Sequence, residues 1–194
     1  MKFREFYRSA IFFLSLGCHL AHADLLPENI LSEPEFTSRG DGILGWEGGG
    51  FVGGNAATGK NYGNSAKAVT EEGKNFVRLT CDHQFANFAL SPDDRLPLLP
   101  EWTALSASAL VRVNAFMKND AWGGFNLWLK FYDFDGKEIE GLNDTFVRIS
   151  QNQSWKSEQK TIDIPKGATE VAIQLHWLAA GGVADVTNLV LKPQ

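Results

Sequence analysis

From residue 76 to the C-terminus, apolar and polar residues alternate with a period of two. Leu105, Ala107, Ala109, Val111, Val113 and Ala115 share one side of an extended segment. Phe125, Leu127, Leu129 and Phe131 do so in the next, Val171, Ile173, Leu175 and Trp177 in a later one, and Val77, Leu79 and Cys81 in an earlier one. Successive side chains of a strand point to opposite faces, so each run predicts a strand with one face buried. Turn residues separate the runs: Glu71-Glu72-Gly73-Lys74, Ser91-Pro92-Asp93-Asp94, Asn119-Asp120 with Gly123-Gly124, Asp135-Gly136-Lys137 and Pro165-Lys166-Gly167. No segment carries the three- and four-residue apolar spacing of a long amphipathic helix. The pattern predicts an all-β chain, folded as an antiparallel two-sheet β-sandwich.

Two regions depart from the alternation. Residues 37–66 are rich in Gly, Asn and polar residues, too long for a bare loop, so short extended pieces are expected near Trp46 and over Ala66 to Thr70. The second piece is expected to pair with Phe76 to Thr80. At the N-terminus, Lys2, Arg4 and Arg8 precede the apolar run Ala10 to Gly17, and Ala21-His22-Ala23 supplies a small-x-small cleavage site. This reads as a signal peptide over residues 1–23, leaving a single domain over 24–194 and a secreted, periplasmic or extracellular product. The apolar run is too short to remain as a membrane span. Lipid anchoring at Cys18 is the alternative, disfavoured because Leu16 stands where a small residue is usual.

Composition narrows the function. The chain is 44% hydrophobic, with 14 Phe and 6 Trp, and carries a net charge of −5. Removing residues 1–23 takes away three basic residues and one acidic residue, leaving 15 against 22 and a net charge of −7. No basic stripe suited to nucleic-acid phosphates is visible. Cys81 alone remains after such cleavage, so no internal disulfide can form, and its alternating position suits a small buried hydrophobe. Gly54 to Asn61 approaches a phosphate-binding loop, but Asn61 replaces the magnesium-binding hydroxyl and no buried parallel strand precedes it. His83 and His176 lack metal-ligand spacing, and no nucleophile elbow or local pair of catalytic carboxylates is present. Two glycosylation sequons, at Asn143 and Asn152, fall between strands, where exposure is expected.

The order of short motifs resembles carbohydrate-binding modules of the four/nine type, which are galactose-binding-domain-like jelly rolls. The motifs are Asn29-Ile30-Leu31, Glu33-Pro34-Glu35-Phe36, Gly45-Trp46, Leu105 to Arg112, Asp133-Phe134-Asp135-Gly136, Trp155, Ile164-Pro165 with Gly167-Ala168, and the closing Val186 to Leu191. The resemblance implies a jelly-roll fold without catalysis and a polysaccharide or oligosaccharide partner, beside separate glycan-degrading enzymes. It also implies a structural calcium site at positions that here are Thr37 and Thr187. Hydroxyls replace carboxylates at both, so no cofactor is expected; Glu35 and Asp185 are the nearby carboxylates able to compensate.

If the odd-numbered residues face the core, their neighbours face outward. These are Arg112 and Asn114, then Asn126, Trp128, Lys130 and Tyr132, then Gln174 and His176, with Trp122 on the rim. Aromatic rings stack on the apolar faces of sugars, while planar polar groups bond their hydroxyls, so this set forms the candidate glycan site. Trp46, Trp155 and Trp177 are expected to pack. Two other readings stand beside it: a structural or protein-interaction jelly roll at the cell envelope, with Trp128 and Tyr132 beneath a partner or beneath residues 37–66, and, more remotely, a glycoside hydrolase.

Overall fold

A computed structural model describes residues 27–31, 34–40, 42–52, 64–84, 86–118, 122–139 and 144–194. The expected signal peptide, the lipidation position Cys18, the Gly54–Asn61 segment, the Asn119-Asp120 turn and Asn143 lie outside them. The described chain consists of strands β1 (Ser38–Arg39), β2 (Gly42–Ile43), β3 (Trp46–Val52), β4 (Ser65–Glu71), β5 (Lys74–Cys81), β6 (Ala86–Pro92) and β7 (Leu96–Pro97). They continue with β8 (Ala104–Lys118), β9 (Gly124–Tyr132), β10 (Asp144–Ile149), β11 (Gln153–Asp163), β12 (Glu170–Leu178) and β13 (Ala180–Pro193). No helix is present among the described residues.

Two antiparallel sheets face each other. The first runs β1-β2-β3-β6-β12-β9-β10, with β7 also pairing to β12; the second runs β11-β8-β13-β5-β4. The expected piece over residues 66–70 is β4, paired to β5 with Ala66 opposite Leu79 and Val69 opposite Phe76. Their connection is a two-residue turn in which Glu72 (φ 51°) and Gly73 (φ 75°) both take positive φ, the geometry whose twist matches a hairpin.

The core follows the alternation. Phe125, Leu127, Leu129, Phe131, Val171, Ile173, Leu175 and Trp177 of the first sheet are buried against Val77, Leu79, Leu105, Ala107, Val111, Val113, Ala184 and Val186 of the second. Trp177 is central, with its ring 5.2 Å from Phe125 and its Nε1 donating to the Leu79 carbonyl. Truncating such a residue to Ala costs about 3–5 kcal/mol, the lost burial plus the cavity left behind.

One alternation fails. Ala115 was expected on the inner face with Val113, but it is exposed. Its φ is 49°, and the register against β13 shifts between Gly181 and Val183. The extra residue reverses the parity of the strand end, so Phe116 turns inward and packs 6.2 Å from Trp177. Opposite this bulge a Cβ on Gly181 would lie 2.5 Å from the His83 carbonyl oxygen, which only glycine avoids.

Candidate functional site

The outer face of the eight-stranded sheet is set by β9 and its neighbours. Leu127 and Leu129 point into the sandwich, so Asn126, Trp128, Lys130 and Tyr132 point away from it. Register then fixes what stands beside each. Trp128 lies between Gln174 of β12 and Thr145 of β10, and Asn126 lies between His176 and Arg148. Lys130 is opposite Ala172, and Tyr132 is opposite Glu170. Beyond His176 come Ala89 of β6 and Gly49 of β3.

The Trp128 and His176 rings meet edge to face, with centroids 4.5 Å apart and planes at 88°. His176 Nε2 bonds the Asn87 Oδ1 at the end of β6. An amide oxygen only accepts, so Nε2 carries the proton and Nδ1 holds a lone pair. Burial pushes the imidazole pKa down to about 4, with the Lys130 charge adding to the effect, so the ring is neutral at pH 7. His176 Nδ1 and Trp128 Nε1 are both buried and have no hydrogen-bond partner among the described residues. Leaving one such group unpaired costs about 1–3 kcal/mol.

Farther along the strand the charges are paired. Lys130 Nζ bonds Glu138 at 3.1 Å. The Arg95 guanidinium lies 3.6 Å from the centre of the Tyr132 ring, and its Nη1 donates to Glu170 and to the Gly136 carbonyl. One face of Tyr132 is therefore covered by the chain itself. Of the two aromatic residues in the candidate glycan site on this strand, Trp128 is a half-buried indole and Tyr132 a phenol with a guanidinium held over it.

Of the nine sequence-selected site residues, Asn126, Trp128, Lys130, Tyr132, Gln174 and His176 share this face. Trp122 stands on the rim, exposed, its carbonyl accepting from Arg148. Arg112 and Asn114 do not join them: they lie on β8 of the other sheet, on the opposite outer surface. Alternation identifies which side of a strand faces out, but not which of two sheets the strand enters. Asn87, Arg95, Glu138 and Glu170 were missed. Asn87 follows from the buried Phe88 and Leu90 beside it in β6, whereas Arg95 reaches Tyr132 only through a fold contact.

The opposite surface differs from expectation in a second way. Trp155, expected to pack, does so on the outer side rather than between the sheets: it is half-buried, with its edge 5.7 Å from Phe76. Phe76 points outward from β5 yet is buried under Trp155, Arg78 and Arg112. Asp185 is buried beside them. It accepts from Arg78 Nε at 2.7 Å and from Arg112 Nε at 2.9 Å, and Arg78 also bonds Glu71.

For the calcium position, the Thr187 hydroxyl donates to the Asn75 carbonyl at 2.7 Å. Both guanidiniums already occupy Asp185, so this carboxylate has no free oxygen to replace the missing ligands. The donor set at these positions does not fit a hard dication. No group of three His, Cys, Asp or Glu side chains capable of holding a metal occurs among the described residues.

No family model matches the chain, and no curated protein matches its sequence. Solved structures do match its fold. The enzymatically active domain of tailspike protein 4 from bacteriophage CBA120 superposes with a TM-score of 0.61 at 13% identity, over 86% of this chain and 21% of that one. The xylan-binding CBM22-1 domain of Paenibacillus barcinonensis Xyn10C matches with a TM-score of 0.52 at 14% identity, over 87% of this chain and 96% of that one. The arabinose-bound α-L-arabinofuranosidase MgGH51 matches with a TM-score of 0.50 at 12% identity, over 87% of this chain and 27% of that one. The chain thus spans about a fifth of the tailspike domain but nearly all of the xylan-binding domain. At these identities the likeness concerns architecture: the chain has the antiparallel two-sheet jelly-roll fold found in carbohydrate-binding modules.

Proposed function

We propose that this chain is a secreted, non-catalytic glycan-binding domain that holds an oligosaccharide segment across the outer face of the eight-stranded sheet. The carrying observation is the surround of Trp128: an outward indole flanked by Gln174 and His176, with Asn126 and Asn87 beside the imidazole. An indole supplies an apolar face for a sugar ring, and the amides and neutral imidazole supply donors and acceptors for hydroxyls. The unpaired Nδ1 of His176 and Nε1 of Trp128 add an acceptor and a donor just beneath this face. A xylan-binding domain of the same fold, matched over nearly its whole length, supports the reading, as does the four/nine-type motif order. Fold alone does not assign function, so the weight rests on the side chains.

The test is a screen of the domain against soluble and insoluble polysaccharides by affinity electrophoresis and calorimetry, with Trp128→Ala as the control. Binding that drops at least about tenfold in the variant, with an unchanged melting temperature, is the expected result. Absence of binding across neutral and acidic polysaccharides, or equal binding by the variant, overturns the proposal. Calcium independence is part of it, given the donors found at Thr187 and Asp185.

A further inference from the structure

The outer face of the five-stranded sheet carries a recess, across the sandwich from Trp128. Glu71, Glu72, Lys74, Phe76, Arg112 and Trp155 line an open recess of about 150 Å³. A cavity of about 150 Å³ holds a benzene ring, so the recess is on the scale of one six-membered ring. Its lining is mixed rather than apolar, which suits a ring bearing hydroxyls.

The walls are fixed in place. Arg112 donates through Nε and Nη2 to Asp185, while Arg78 bridges Asp185 and Glu71. Two guanidiniums and two carboxylates form a closed network over Phe76. Replacing such buried pairs with apolar residues is often neutral or stabilising, so stability is a weak reason for the network; its clear consequence is a rigid Arg112. Trp155 stands against it, with the Arg112 guanidinium 4.8 Å from the indole centre. Glu72 and Lys74 on the β4–β5 turn form no ion pair with another described residue. Lys74 Nζ lies 6.0 Å from the Trp155 ring. The lining charges balance, Glu71 and Glu72 against Lys74 and Arg112, so an ionic ligand gains no net attraction. An uncharged ring gains an indole for its C–H face, an acceptor at Glu72 and a donor at Lys74.

We infer that this recess is a second glycan subsite that takes one uncharged pyranose residue, so that one domain engages two glycan segments on opposite faces. The ligand class rests on the proposed function; the site itself does not involve Trp128. Two sites on one rigid body raise avidity for a branched or bundled polysaccharide and allow it to be cross-linked.

The six indoles make the sites separable. The full chain is labelled with 5-fluorotryptophan, the Trp128 and Trp155 resonances are assigned with Trp128→Phe and Trp155→Phe, and the protein is titrated with xylose, arabinose, galactose, glucose and mannose. Glucuronate is the charged comparison. Millimolar affinity is expected for a one-ring ligand in an open recess, so titrations extend to about 100 mM. The expected result is a saturable shift of the Trp155 resonance by at least one neutral pyranose. The shift persists in Trp128→Phe and is abolished in Glu72→Ala and Lys74→Ala, whose rim positions leave the Asp185 network intact. A shift at Trp128 alone overturns this site and leaves the proposed function standing. A shift at Trp155 alone supports this site and counts against the proposed one. No movement of Trp155 with any neutral pyranose, or movement unchanged in both rim variants, overturns the inference.

Discussion

Acidification tests the reading of His176 directly. In the folded chain burial holds its pKa down at about 4, against 6.5 in the absence of a protein environment. Between those values the unfolded chain binds a proton that the folded chain does not, so stability falls as pH falls. The contribution is fully present above pH 6.5, is lost progressively down to pH 4, and changes no further below. Each pH unit separating the two constants is worth about 1.4 kcal/mol, so lowering the pH from 7 to 5 removes about 2 kcal/mol, and to pH 4 about 3 kcal/mol. That is a large part of the 5–15 kcal/mol typical of a domain. A variant isolates the part that belongs to His176. His176→Gln places an amide nitrogen near the position of Nε2, able to donate to Asn87 without titrating. Urea denaturation of both proteins from pH 7 to pH 4 gives the stability difference between them. That difference is expected to move in favour of the variant by about 3 kcal/mol, and the His176 imidazole protons should titrate near pH 4 by NMR. A difference that stays flat with pH, or a midpoint near 6.5, refutes the buried neutral imidazole and with it the lone pair assigned to Nδ1.

The remaining predictions concern the opposite face, the core and the calcium position. Asp185→Ala leaves Arg78 and Arg112 with Glu71 as their remaining carboxylate and should cost about 1–3 kcal/mol in chemical denaturation, with Trp155 fluorescence altered. Cys81, whose thiol burial pushes up to about 12, should resist iodoacetamide at pH 8 in the folded protein and react once urea unfolds it. Added calcium or chelator should leave the melting temperature unchanged; a rise of several degrees with calcium would show that other donors complete the site. Arg95→Ala should uncover Tyr132 and alter glycan binding without the loss produced by Trp128→Ala, read by calorimetry.

Much of the architecture was legible because a strand writes its two faces into alternate residues. The runs at 125–131 and 171–177 are fully inward, and the Glu72-Gly73 turn joins the two strands expected around it. Ala115 broke the rule because a bulge adds a residue without changing composition, and only the φ of that residue and the register of β13 reveal it. The outward set was legible strand by strand, yet its division was not: Arg112 and Trp128 carry the same alternation and lie on opposite surfaces. Phe76 and Trp155 show the same limit, since outward parity does not disclose that an aromatic and two guanidiniums will bury an outward side chain.

The sequence by itself determined the β character and the inner face of most long strands, because these depend on residues near one another in the chain. Tertiary structure alone decided which outward residues become neighbours. It brought His176 to Asn87 across 89 residues and Arg78 to Asp185 across 107, and it laid Arg95 on Tyr132. Such meetings are set by strand order in the two sheets, and that order comes from how the whole core closes rather than from any local pattern.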